Sequence, residues 1–207
     1  TLAPLRCIPY NSLRKRGMTM ELKRCRWADP TSELYIAYHD QEWGRPEHGD
    51  RKLFEMLILE GFQAGLSWLT ILKKQEAFRR AFDGFDPAVV AGYGPEKLDA
   101  LMEDPGIVRN RRKIQAAVQN AKAFLAIQKE YGSFDRYLWG FTDGQVILNT
   151  DDEVRASSEL SDRISADLKR RGMNFVGSVI IYSFLQAVGV VNDHETGCWC
   201  HPSRQED

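Results

Sequence analysis

Four residues near the two ends of the chain have the chemistry of a metal site. Cys25 and His39 lie near the start with thirteen residues between them; His194 and Cys198 lie near the end in an H-x-x-x-C arrangement. Thiolate and neutral imidazole suit tetrahedral Zn²⁺, and two of each close a structural site with no position left for catalysis. An i, i+4 pair shares one face of a helical turn, which brings His194 and Cys198 together. The split spacing is not a zinc-finger pattern. Cys200 and His201 are competing ligands and Cys7 is a spare.

A second set combines one carboxylate with aromatic rings. Glu60 ends the apolar run Leu57-Ile58-Leu59, and a carboxylate is costly to bury unless it is paired or meets a ligand. Trp68 follows two helical turns later. Trp27, Tyr35, Tyr38 and Trp43 crowd the N-terminal segment. Rings that stack and an acceptor that reads an exocyclic amine would fit a purine turned out of a helix. Rings packed in a core, with Glu60 at a helix end, would fit the same composition.

Two glycine turns could hold an anion. In Leu168 to Ile181, a helix ends on Lys169, Arg170 and Arg171. Gly172 can take a positive φ, and Gly177 precedes a new apolar helix whose N–H groups could meet a phosphate. In Asp104 to Lys113, a turn at Gly106 leads to Arg109, Arg111, Arg112 and Lys113 at a helix start. Cations there oppose the helix dipole unless an anion lies nearby. Nucleic acid is one partner that such segments fit; an αα-corner with a solvated basic end is the other reading.

The elements that must position these residues are helices. Asp50 is expected to cap a helix through Leu53, Phe54, Leu57 and Ile58, interrupted by Gly61 and Gly65; Leu66 to Phe82 is a second amphipathic run. Asp86-Pro87 and Gly94-Pro95 open short helices. A long helix runs from Asn110 or Arg111 to about Lys129, and a short aromatic one from Ser133 to about Trp139. Ser161 to Arg171 and Ser178 to Val188 complete the set. Val146 to Leu148 could be extended, but no strand is evident to pair it. The expected fold class is all-α, with eight to ten helices.

Composition narrows the partners. The chain has 207 residues, with 28 Lys and Arg against 29 Asp and Glu, a net charge of −1. A generic polycation is excluded, so nucleic-acid binding needs a local basic face. No apolar run is long enough for a membrane span, and no signal peptide is evident. Four cysteines are too few for a disulfide framework, which points to a reducing cytoplasm. Residues 1–20 carry Arg6, Arg14, Lys15 and Arg16 with little apolar periodicity and read as a loosely ordered extension before a domain at 21–207.

The ordered blocks Arg24–Trp27, Tyr35–Gly44, Leu53–Met56, Leu59–Trp68, Arg171–Gly177, Tyr182–Ala187 and Val191–His194 with Cys198 together carry a resemblance. The chain resembles the 3-methyladenine DNA glycosylase I family over about Leu22 to Pro202. The resemblance implies an all-α, helix-hairpin-helix DNA glycosylase with a structural zinc that joins the N- and C-terminal segments through Cys25, His39, His194 and Cys198. It implies hydrolytic removal of 3-methyladenine from double-stranded alkylated DNA, without lyase activity, by a monomer in the bacterial cytoplasm and nucleoid. The base-reading carboxylate falls on Glu60, with Tyr38 as a hydrogen-bonding group. Trp27, Tyr35, Tyr38 and Trp68 become pocket aromatics, and Trp43 packs nearby. Gln63, Gly65 and Leu66 become the segment that fills the gap left by the extruded nucleotide, with Leu66 as a wedge. Lys169, Arg170, Arg171, Gly172 and Gly177 become DNA contacts. Asp193 lies in the region where many helix-hairpin-helix glycosylases carry an Asp that assists water or the oxocarbenium ion; it is a candidate for that part, and a structural role beside His194 is expected. Phe62 stands where a family member carries Gln, so a difference in local loop chemistry is expected.

Overall fold

The structure, a computed structural model, describes residues 22–204. The expected extension at 1–20, and with it Cys7, lies outside them. Nine α-helices are present among the described residues: α1 Glu33–Gln41, α2 Asp50–Gln63, α3 Trp68–Ala81, α4 Pro87–Ala91, α5 Pro95–Glu103, α6 Arg111–Tyr131, α7 Phe134–Trp139, α8 Glu159–Arg170 and α9 Ser178–Ala187. No described helix is long and apolar enough to cross a membrane.

Local chemistry sets most of their ends. Side chains of Ser67, Asp86, Asn110, Ser133 and Ser158 each accept a backbone N–H at a helix start, and Ser158 with Ser161 forms a reciprocal capping box. Pro87 and Pro95 occupy first turns, where their missing N–H costs nothing.

The core gathers around α2. Leu53 to Phe62 are buried without interruption, so this helix is enclosed on all sides. It packs on α3, α6 and α9. Gly61 does not break it. A Cβ there would lie 3.4 Å from Cβ of Phe175, so the glycine lets another segment approach closely. Phe62 is only 1% exposed and meets Phe78 and Phe82 edge-on, at 4.8 and 5.8 Å between centroids. The residue that departs from the family pattern therefore belongs to the core, and the expectation of altered loop chemistry is corrected.

Two further expectations need correction. Asp50 does not cap its own helix; Gly49 is the N-cap. The Asp50 carboxylate instead accepts from Phe134 N and Asp135 N, both at 2.8 Å, and from Gln128 Nε2 at 2.6 Å. It caps α7 across more than eighty residues of sequence, a partner that no local pattern reveals. Val146 to Leu148 does find a strand. β1 (Ile147–Leu148) pairs in parallel with β2 (Val191–Asn192), Ile147 opposite Val191. Helix α1, which periodicity does not delineate, carries aromatic and polar residues rather than an aliphatic stripe.

Close approach fixes the far end of α9. A Cβ on Gly189, whose φ is +71°, would lie 2.1 Å from the Arg45 carbonyl carbon. Only glycine lets Arg45 and Pro46 cross there.

Asp50→Ala leaves two N–H groups of α7 uncapped. It is expected to lower stability by about 2 kcal/mol, read as a shift of the urea midpoint with unchanged slope.

Candidate functional site

Helix α1 presents two neighbouring residues in two directions. Tyr38 and His39 are both buried, at 4% and 0% exposure. Tyr38 meets Trp68 at 5.4 Å between ring centroids. His39 faces the terminal segments that carry Cys25 and Cys198.

There the four donors expected from sequence come together. Cys25, His39, His194 and Cys198 are all buried, and their donor atoms lie within 4.8 Å of one another. Cys25 Sγ lies 3.5 Å from His194 Nδ1. Cys198 Sγ lies 3.6 Å from His194 Nδ1 and 3.4 Å from His39 Nε2. Zinc–ligand distances in a tetrahedron give a sulfur–nitrogen edge of about 3.6 Å. The donor set therefore fits a zinc ion in both chemistry and spacing. Each imidazole also has an outer partner of the kind that orients metal ligands. His39 Nδ1 pairs with Asp40 Oδ1 at 2.8 Å, and His194 Nε2 with the Trp43 carbonyl at 3.2 Å. Arg24 grips Asp40 in turn, Nε to Oδ1 at 2.9 Å and Nη2 to Oδ2 at 2.8 Å. The Glu195 and Cys200 N–H groups point at the two sulfurs, each at 3.4 Å. Cys200 does not join the set of four; its sulfur is 4.0 Å from the other nitrogen of His39. His201 Nδ1 bonds Ser203 Oγ at 2.8 Å. With His39 and Asp40, Cys200 forms a second group of mutually close donors that shares His39 with the first.

The second cluster surrounds Glu60. The carboxyl is 3% exposed and its Oε2 has no hydrogen-bond partner. Burial alone pushes its pKa up to about 8. Tyr38 titrates well above its usual range, chiefly through burial and then through the nearby Glu60 charge. The Trp68 indole N–H is buried and meets no acceptor in hydrogen-bond geometry. A buried acid without a hydrogen-bond partner thus lies beside a tyrosine, whose other neighbour is the Trp68 indole, to form a polar cluster between rings. Trp27 borders Tyr38 at 6.2 Å with 37% of its surface exposed. Tyr35 joins the same aromatic group. It packs edge-on to Trp27, and its hydroxyl accepts Leu69 N–H at 3.2 Å, tying α1 to the start of α3 and hence to Trp68. Trp43 packs between Trp27 and His194, as expected.

The segment after α2 is held by a residue whose role the sequence does not disclose. Lys113 is buried and donates to the carbonyls of Phe62 at 2.8 Å and Ala64 at 2.6 Å. It satisfies the open C-terminal end of α2 rather than an external anion. From that anchor the chain turns through Gln63 and through Gly65 at φ +81°, to Leu66, which is 41% exposed.

The hairpin between α8 and α9 has the expected glycine cap. Gly172 lies at φ +89°; its N–H bonds Lys169 O at 2.9 Å, and Met173 N–H bonds Leu168 O at 3.0 Å, a Schellman closure. Asn120 clamps Asn174 from both sides, at 2.8 and 2.9 Å. Gly177 is the N-cap of α9 without a side-chain cap, and a Cβ there would meet nothing. Lys169 is exposed, but its neighbours are engaged. Arg170 pairs with Asp167, and Arg171 binds Glu130 at 2.6 Å and Asp167 at 2.6 Å, packed on Tyr131 and Tyr137. Arg171, only 20% exposed, locks α8 to α6. Asp193 accepts from Tyr182 and Gln186, both at 2.6 Å, and from Asn149. It ties the ends of the two strands to α9.

A family model described as methyladenine glycosylase matches residues 27–201. The chain belongs to the methyladenine glycosylase family. It is 48% identical over 189 residues to DNA-3-methyladenine glycosylase 1 of Escherichia coli, spanning 89% of this chain and all of that one. A crystal structure of 3-methyladenine DNA glycosylase I superposes with a TM-score of 0.84 at 50% identity, over 87% of this chain and all of the other. A single-residue variant of 3-methyladenine DNA glycosylase I, in complex with 3-methyladenine, superposes at 0.83 and 37% identity, over 86% of this chain and 97% of the other. Within this methyladenine glycosylase the two clusters meet on α1, whose successive residues serve one each.

The raised Glu60 pKa has a consequence for folding. The folded state binds that proton more tightly than the unfolded chain between about 4.5 and about 8. This stabilisation is complete below the unfolded pKa and is lost as pH rises through the folded one. Unliganded protein is therefore expected to lose stability from pH 5 to pH 9, by on the order of 4 kcal/mol from this group. Glu60→Gln should flatten that part of the profile, measured by urea unfolding across the range; equal slopes in both proteins would contradict it.

Proposed function

We propose that this protein is a DNA glycosylase that removes 3-methyladenine from alkylated double-stranded DNA by hydrolysing the N-glycosidic bond, leaving an abasic site. The carrying observation is the unpaired carboxyl of Glu60 buried beside Tyr38 and Trp68. The methylated nucleotide is turned out of the duplex, Leu66 and Gln63 fill its place, and Trp68 and Trp27 contact the base. A base alkylated at this position is cationic while still attached to sugar, so its bond to C1′ is already weak. Glu60 as carboxylate accepts from the amino edge and stabilises the cation, and Tyr38 orients the base through its hydroxyl. Water forms a bond to C1′ as the base nitrogen leaves with the bonding electron pair. The water proton passes to solvent, and the base departs neutral.

The fold is read as helix-hairpin-helix, with Gly172 to Gly177 and the open N-terminus of α9 gripping a backbone phosphate and Lys169 adding charge. Lyase chemistry is not expected. The buried lysine near the recess, Lys113, has its amine committed to two carbonyls, so that amine is not free to form a Schiff base with the sugar. The protein would act as a monomer on the bacterial chromosome, in the cytoplasm.

Cys25, His39, His194 and Cys198 would hold a structural Zn²⁺, which supplies a fixed cross-link between the terminal segments and no reacting group. Metal analysis of protein purified without chelator should find one zinc per chain, and Cys198→Ser none. Asp40→Asn should weaken zinc binding about 10- to 100-fold, because it removes the partner of His39. Full zinc content in Cys198→Ser would remove the assignment.

Release of free bases from methylated duplex, followed by chromatography, tests the activity. The expected product is 3-methyladenine, without strand cleavage and without a borohydride-trapped adduct. Because Glu60 gains its charge only as pH approaches about 8, kcat/KM should rise with pH up to that point. Glu60→Gln should lower it by about 10²- to 10³-fold and flatten the rise. Undiminished excision by Glu60→Gln would take that residue out of the mechanism.

A further inference from the structure

Four cations cluster at the start of α6, where the positive end of the helix dipole disfavours them. The fold accounts for two. Arg111 pairs with Asp99 at 2.7 Å, and Lys113 holds the end of α2. Arg109 and Arg112 remain exposed, without an ion pair among the described residues. Arg112 opens onto a cleft of about 300 Å³ between α6 and the hairpin, lined also by Gln115, Gln119, Asn174 and Phe175. No carboxylate lines it. Its walls are fixed: Asn120 clamps Asn174, and Phe175 keeps φ +54° over the Lys113 amine. A bulky residue in the left-handed region persists only where its surroundings over-determine it. Gln119 continues the strip toward the hairpin glycine; its Nε2 lies 3.4 Å from where a Cβ on Gly172 would stand.

We infer that Arg109 and Arg112, with the amide groups of Gln115 and Gln119, form a second phosphate-binding strip that holds the DNA backbone beside the hairpin. This rests on the glycosylase reading and extends its DNA surface to α6. The strip suits repeated anionic groups rather than one small ion, because its donors are spread along helical turns. Arg112, Gln115 and Gln119 recur at about 4.5 and 6 Å of rise along one face. Beyond them the exposed positions Lys122, Ala126 and Lys129 add no negative charge; the next acid, Glu130, is bound to Arg171. The strip is also continuous with both proposed DNA-gripping elements. Phe175 lines its cleft from the hairpin, and Lys113, adjacent to Arg112, fixes the wedge segment. A chain with net charge −1 thereby concentrates cations where a duplex would pass.

The test is the salt dependence of binding to a duplex that carries a tetrahydrofuran abasic analogue, read by fluorescence anisotropy between roughly 50 and 200 mM NaCl. Removing one cation from the phosphate backbone should reduce the slope of log K against log salt by about 0.9. Arg112→Gln is expected to do so once, and the double variant Arg109→Gln/Arg112→Gln about twice. Lys129→Gln removes the same charge from the other end of α6 and should leave the slope unchanged, which separates a local pairing from a change in net charge. All of these substituted positions are exposed, and urea midpoints would confirm intact folds. Wild-type binding with an unaltered slope in the double variant would overturn this inference alone. Failure of the wild type to bind the duplex would overturn the glycosylase reading and this strip with it.

Discussion

A carboxyl group buried without a hydrogen-bond partner is the constraint around which the rest of the molecule is arranged. Desolvation of Glu60 raises the free energy of its charged form, and nothing among the described residues offsets it. Such a group stays where it is only if the alternatives, a rotation toward water or a local opening, cost more. Helix α2 supplies that resistance. Its buried run from Leu53 to Phe62 is packed from several sides, and Lys113 holds its last carbonyls. The helix cannot unwind at Glu60 without exposing core on one side and stranding a buried ammonium on the other.

The opposite wall of the recess has no such core behind it. Helix α1 has nine residues, too few to be stable alone, and it follows a loop. The cluster of sulfur and imidazole donors supplies what packing does not. Cys25 and His39 meet His194 and Cys198 across about 160 to 170 positions of sequence. A metal held by all four would cross-link these distant segments and remove much freedom from the unfolded chain. Because Tyr38 precedes His39, whatever fixes the imidazole also fixes the phenol against Trp68. Arg24 and Asp40 extend the same restraint outward. Structural and recognition chemistry are thus coupled through one peptide unit.

This division explains what can be read from sequence. Helices α4, α6, α7 and α8 are legible because their caps are local: Asp86 with Pro87, Asn110, Ser133, and Gly172 all act within a few residues. The metal donors are legible by type, and their partner choice only weakly, since Cys200 and His201 offer the same atoms. What escapes depends on distant contacts. Asp50 resembles an N-cap for its own helix but serves α7. The two strands are two residues each and exist because the segment after Thr142 is drawn against the end of α9. Lys113 reads as part of an anion site, because a cation at a helix start has an identical sequence signature whether its partner is a phosphate or the carbonyl end of another helix. Arg171 reads the same way: besides the local Asp167, its carboxylate partner Glu130 lies on another helix, α6. The Glu60 carboxyl is visible as an oddity after an apolar run, yet its lack of a partner is a property of the folded neighbourhood alone.

That lack also bears on discrimination between a damaged and a normal base. A neutral adenine entering the recess brings no charge to offset the ionisation of Glu60, so the acid remains largely protonated near neutral pH. A base with positive charge supplies the missing counter-ion. In an environment of low dielectric, that pairing is far stronger than in water. Under the proposed function, the free energy raised by burying the carboxyl is recovered when a cationic base arrives. A pre-formed salt bridge to Glu60 from the protein itself would remove this difference. Among the described residues no arginine or lysine pairs with Glu60, in a fold that pairs Asp40, Glu55 and Asp167 with guanidinium groups, and under the proposed function this is the feature that would favour a cationic base over a neutral one.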